Sequence, residues 1–228
     1  MKINIVGEVS TDQKIIDTLV EIIPTLFPID SNLELVDSGE RYARKQEKVL
    51  NWDDIIDQNK INFYDGIIDP TGKFWMNMDS IAYRYRPNIK DEYLMIIGHR
   101  DFINMDMSVL LLAGLAKNRM LATRQIENGC YQGMADYKDR WIFLGLPNDG
   151  CAGAVKVSAH EIAHLFLDRI SCGEGFSLED HLNRKIPNHC ENYVGSKRCL
   201  MNPKSPVNRE TIQEIALNFC EYHTNKLT

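Results

Sequence analysis

The run His160-Glu161-Ile162-Ala163-His164 constrains this chain more than any other segment. It lies within residues 153–167, where small and apolar residues recur at helical spacing, with Val155, Ala159, Ile162, Ala163 and Phe166 on one broad stripe. The stretch therefore reads as a helix seated in a core. On a helix, side chains four apart are separated by about 6 Å along the axis and about 40° around it. The imidazoles of His160 and His164 can then reach one ion at Zn–N distances of about 2.1 Å. Glu161, beside the first imidazole, stands where it can hold a water at the ion rather than bind the ion itself. The plainer alternative is a core helix whose histidines only make hydrogen bonds. Two histidines at this spacing, with glutamate directly after the first, favour the metal.

The bulk properties leave room for such a site. A chain of 228 residues, 44% of them hydrophobic, can build one generous core with a small appendage. The net charge of −6 has both signs interspersed and no basic block, which argues against a nucleic-acid surface. No run approaches the roughly 18 apolar residues of a membrane span. Residues 1–9 read as a first strand rather than a signal peptide, so the expected location is cytoplasmic. Thiols stay reduced there, and the six cysteines read as metal ligands or core residues rather than a disulfide set.

Strands and helices intermix ahead of the motif, which predicts an α/β arrangement. Residues 2–9 form a strand. A helix follows to about residue 26, capped by Ser10 with Gln13 and ended by Pro24 and Pro28. Residues 32–37 alternate like a half-buried strand, whereas the charged stretch 40–58 reads as mostly helical. Further strands are expected at 61–68, 93–98, 109–113, 118–126 and 141–146. The expected boundary lies at residue 170, with 1–170 as the α/β part and 171–228 as a small C-terminal subdomain.

That tail has little periodicity but is rich in Cys, His, Pro and Asn, so something other than a large apolar core must hold it. Cys190, Cys199, Cys220 and His223 make a Cys₃His set, a recognised combination for structural zinc. Cys220 and His223 stand in a C-x-x-H step in a helix expected over 209–223. Zinc there would contribute on the order of 10 kcal/mol to ordering the segment. Cys130, Cys151 and Cys172 read as core or loop residues.

With these residues in place, the chain resembles the archaemetzincins, a metzincin-like family of zinc metalloproteases. His160, Glu161 and His164 match the family's core motif. His189-Cys190 matches its third histidine with the adjoining cysteine, and Cys199-Leu200-Met201 matches its Cys-x-Met element. Cys220 and His223 stand near the position of its closing C-x-x-C pair. Residues 110–126 are similar to the paired strands that precede its active-site helix. The match covers the C-terminal half by motif and the N-terminal half by general pattern. Leu167 and Ile170 replace the family's glycine and third histidine, so residues 165–188 form an insertion. His181 competes with His189 as third ligand, and Glu179 or Glu191 would give a carboxylate-ligated site instead. Asp168 sits roughly 12 Å along the axis from His160, too far for one ion.

The resemblance implies a metzincin-like mixed sheet with an active-site helix and a zinc-stabilised C-terminal subdomain. It implies two zinc ions, one catalytic on His160, His164 and His189 and one structural on the Cys₃His set, with Met201 as the Met-turn methionine. It also implies hydrolysis of peptide or protein substrates with Glu161 as general base. An exposed strand edge at 118–124 would hold the peptide by strand addition, and the chain would act as a monomer without nucleic-acid or membrane partners. Two other readings stay open: a non-catalytic zinc-stabilised interaction domain, and another zinc hydrolase such as an amidase.

Overall fold

Odd and even positions of the first strand go to different cores, and this alternation organises the molecule. A computed structural model describes residues 1–27, 32–44, 46–51, 64–68, 72–86, 92–98, 102–103, 133–136, 140–145, 150–171, 193–194, 197–202 and 218–227. Strand β1 (Lys2–Glu8) is followed by helix α1 (Gln13–Leu26) and strand β2 (Glu34–Tyr42). Later come β3 (Val49–Asn51), β4 (Gly66–Ile68), β5 (Phe74–Asn77), helix α2 (Met78–Tyr85), β6 (Glu92–Gly98) and β7 (Phe102–Ile103). The chain continues through β8 (Gly133–Asp136), β9 (Trp141–Gly145), the long helix α3 (Gly150–Ser171), β10 (Tyr193–Val194), β11 (Lys197–Arg198) and α4 (Glu221–Leu227).

The main sheet has the order β2-β1-β6-β9-β8. Its first four strands are parallel, and β8 runs antiparallel to β9, with Gly133 opposite Leu144 and Asp136 opposite Trp141. Ile3 and Ile5 of β1, Met95 and Ile97 of β6, and Ile142 and Leu144 of β9 share a core with α1 and α3. Val6, Leu94, Ile96, Trp141 and Phe143 face the other way, into a second core with Met76 of β5 and Met78, Ile81 and Ala82 of α2. Both faces are covered, as a largely parallel sheet requires. A smaller sheet has the order β3-β4-β5-β7. The fold is thus mixed α/β around a mostly parallel sheet.

Several local expectations give way to tertiary structure. Asp12, not Ser10, caps α1, its side chain accepting from the amide of Lys14 at 3.0 Å. Pro24 lies inside α1 and does not end it. The charged stretch after residue 40 is not helical where it is described. Residues 40–42 complete β2, and 49–51 pair in parallel with 66–68. Strand β2 reaches Tyr42 past an irregularity between Ile5 and Gly7, where Gly39 adopts φ +73° and the Ser38 hydroxyl donates to the Ile5 carbonyl. The buried Tyr42 hydroxyl donates to the Ile97 carbonyl, and burial raises its phenol above the ordinary range. The expected strands at 109–113 and 118–126 lie outside the described residues.

Beside the β2 irregularity, both Asp37 carboxylate oxygens accept from the Arg41 guanidinium at 2.9 Å, and Gln13 and the Gly39 amide add further bonds. The Arg41 hydrogen bonds hold this carboxyl well below the usual range, with Gln13 and Gly39 assisting against desolvation. A depressed folded-state pKa stabilises above the unfolded value of about 3.9 and loses that contribution as pH falls through the folded one. Asp37→Asn is therefore expected to cost about 1–2 kcal/mol near neutral pH. The deficit should narrow steadily below about pH 4, as urea unfolding at several pH values will show.

Candidate metal centre

Helix α3 carries the three motif side chains and is buried almost all round. Ala152, Ala154, Val155, Val157, Ala159, Ile162, Ala163, Leu165 and Leu167 are buried, and so are Lys156 and Ser158. The single stripe expected from the sequence is therefore too narrow a description. Phe166 is only half-buried, stacked at a tilt on Phe27 with centroids 5.6 Å apart. A helix of small and apolar residues with little amphipathicity suits a position enclosed on every side.

The His160 and His164 rings lie one turn apart, with centroids 4.8 Å apart and planes at 77°. Their Nε2 atoms face each other at 3.2 Å. Two nitrogen ligands at zinc distances, subtending a tetrahedral angle, would stand about 3.4 Å apart, so the pair already has the spacing for one shared ion. His160 Nδ1 lies 2.9 Å from the Leu200 carbonyl oxygen. A carbonyl only accepts, so Nδ1 carries the proton and the neutral ring keeps its Nε2 lone pair for a ligand. This is how metal-bound histidines are oriented by an outer partner.

Glu161 is buried, 7% exposed, and lies against β8 at the rim of the main sheet. A Cβ on Gly133 would come within 2.6 Å of its Cγ and 2.7 Å of its Oε1. Only glycine lets the strand pass this close to the carboxylate. Gly133 carries little signal in the sequence, since a glycine at the start of a short strand is common. The Leu200 carbonyl carries none, being a backbone atom that any residue could supply.

Leu200 sits in a turn, Cys199–Asn202, closed by the Asn202 amide donating to the Cys199 carbonyl at 2.9 Å. The Leu200 amide donates to the Asn218 carbonyl at 3.0 Å, fastening the turn to the segment before α4. Met201, in the same turn, is fully buried, and Cys199, Leu200, Met201 and Cys220 belong to the core that α1 and α3 share.

Cys199, Cys220 and His223 form a second cluster, all buried, with ligand atoms within 4.8 Å of one another. His223 Nδ1 lies 3.5 Å from Cys199 Sγ and 3.3 Å from Cys220 Sγ, and the Cys220 amide donates to Cys199 Sγ at 3.3 Å. A sulfur and a nitrogen bound to one tetrahedral zinc stand about 3.5 Å apart, so these donors also fit a single ion. The helix expected over 209–223 is corrected at residues 218–220, while 209–217 lie outside the described residues. Residues 218–220 are not helical, and α4 begins at Glu221. The Cys220 carbonyl accepts from the amides of His223 and Thr224, so the thiol stands at the helix start rather than within it.

Of the residues expected at metal sites, His160 and His164 are brought together, and so are Cys199, Cys220 and His223. His189, Cys190, His181, Glu179 and Glu191 lie outside the described residues, as do Cys130, Cys172 and the side chain of Asp168. Cys151 is half-buried in the first turn of α3. Among the described residues, no helix is long and apolar enough to cross a membrane.

No protein-family model matches the chain, and no curated protein matches it in sequence. Among solved structures, the chain is similar to a zinc-dependent peptidase from Methanocorpusculum labreanum (strain Z). The TM-score is 0.47 and the identity 13%, with 99% of this chain and 100% of that one covered.

Proposed function

We propose that this chain is a zinc-dependent peptidase organised like the archaemetzincins. The observation that carries the reading is the paired Nε2 atoms of His160 and His164, 3.2 Å apart, with His160 held by the Leu200 carbonyl. His160, His164 and His189 hold a zinc ion in this reading. When bound there, zinc would supply Lewis-acid polarisation of the scissile carbonyl and lower the pKa of water towards neutrality. Glu161 accepts the proton of the attacking water on a carboxylate oxygen and returns it to the departing amine. The buried Met201 supplies an apolar floor and binds nothing.

Peptide or protein substrates would add along β8, which among the described residues pairs on one side only, with β9. The close approach of Gly133 to Glu161 supports this reading, since a strand added there would run near the carboxylate. In the same reading, residues 171–228 would form a small subdomain around a second zinc, held by Cys190 with the clustered Cys199, Cys220 and His223, for two zinc ions per chain.

The test is cleavage of a mixed fluorogenic peptide set by the purified chain. Activity is expected to fall to background with 1,10-phenanthroline and to return when zinc is restored. Cleavage that survives complete removal of metal, or a zinc-loaded chain that cuts no peptide, would overturn the reading.

A further inference from the structure

The two clusters share one turn. Cys199 lends its thiol to the cysteine–histidine cluster, and the next residue, Leu200, lends its carbonyl to His160. The amide of Leu200 is tied to Asn218, two residues before Cys220. The Cys220 amide returns to Cys199 Sγ. The Leu200 peptide is therefore pinned from both ends by groups whose positions the cluster sets. Helix α4, which carries His223, has seven residues and cannot hold itself by helix formation alone. Bonds of about 2.0–2.3 Å to a shared ion would fix thiols and imidazole far more firmly than their present contacts of 3.3–3.5 Å.

Building on the zinc-peptidase reading, we propose that Cys199, Cys220 and His223 are positioning residues for His160. A divalent ion in their cluster locks the Leu200 carbonyl in place and so tightens metal binding at the His160/His164 pair. Losing an outer partner of a ligand histidine weakens metal affinity about 10–100-fold, which sets the size of the coupling. Linkage requires the coupling to run both ways: an ion on the histidines tightens the cluster by the same factor.

The experiment uses the full chain, metal-free or carrying one equivalent of cadmium, whose softness directs it to the thiols. Cobalt affinity at the histidine pair is then measured by chelator competition, following the cobalt absorption that appears without a thiolate charge-transfer band. Cadmium is expected to tighten it about 10–100-fold. In Cys220→Ser, cadmium should bring no such gain. Nitrogen-15 imidazole NMR of the cadmium form should show the His160 Nδ1 proton sharpened by its bond to Leu200, before the pair itself is filled. Equal cobalt affinity with and without cadmium, within about twofold of no coupling, overturns this proposal and leaves the peptidase reading standing. A histidine pair that takes no cobalt in either state overturns both. The wild-type comparison decides the matter even if Cys220→Ser does not fold.

Discussion

Glu161→Gln is expected to lower kcat on a peptide substrate about 10²–10⁴-fold while leaving zinc content unchanged. The amide has nearly the shape of the carboxylate, so it fits the narrow space beside Gly133, where a Cβ would already crowd Cγ and Oε1. It cannot accept a proton from water near neutral pH. Glu161 is assigned no bond to the ion, so the variant should keep its metal and lose its turnover. Steady-state kinetics together with zinc stoichiometry by native mass spectrometry checks both halves. A glutamine variant that cleaves at the wild-type rate would refute the general-base role. One that loses zinc would make Glu161 a ligand.

His164→Ala is expected to abolish activity and to lose the ion from the helix site. With His164 gone, His160 and a single further ligand cannot hold zinc against chelators. The effect should exceed the 10–100-fold loss of affinity that follows removal of an outer partner. A stability signature accompanies it. Zinc at a hundred times its Kd stabilises a folded protein by about 2.7 kcal/mol per site. The variant should lose this increment for the helix site and keep a smaller one from the cysteine–histidine cluster, whose midpoint moves to higher zinc because the coupling is reciprocal. Thermal unfolding across a zinc series separates the two. A variant with the full wild-type response to zinc would show that the imidazoles do not share an ion.

How much of this was legible in the sequence depended on whether the information was covalent or spatial. The pairing of His160 with His164 follows from helical geometry, and the sequence announces it. Cys199, Cys220 and His223 could be grouped because thiols and imidazoles are rare and bind the same ions. Strands β1, β6 and β9 were visible as short apolar runs, and α1 as an amphipathic period. Residues 40–42 and 49–51 read as helical because charged residues favour helices in isolation. Strand pairing with β1 and β4 overrides that preference, aided by the Tyr42 hydroxyl on Ile97. Helix α2, β5 and β8 were not anticipated. Met78 and Ile81 reveal their role only against the second face of the sheet. Asp12 displaced Ser10 as the cap because the first turn begins at Gln13. The bond from His160 to the Leu200 carbonyl had no residue-type signal at all.

That bond spans forty positions of the chain. A ribosome completes His160 and His164 well before it adds Leu200, and Cys220 and His223 come later still. Synthesis proceeds from the N-terminus at roughly 5–20 residues per second, so for a few seconds the helix exists without the carbonyl that aims its first imidazole. During that interval nothing supplied by residue 200 fixes the tautomer or the direction of the His160 ring. A chain ending before residue 200 would lack that carbonyl permanently.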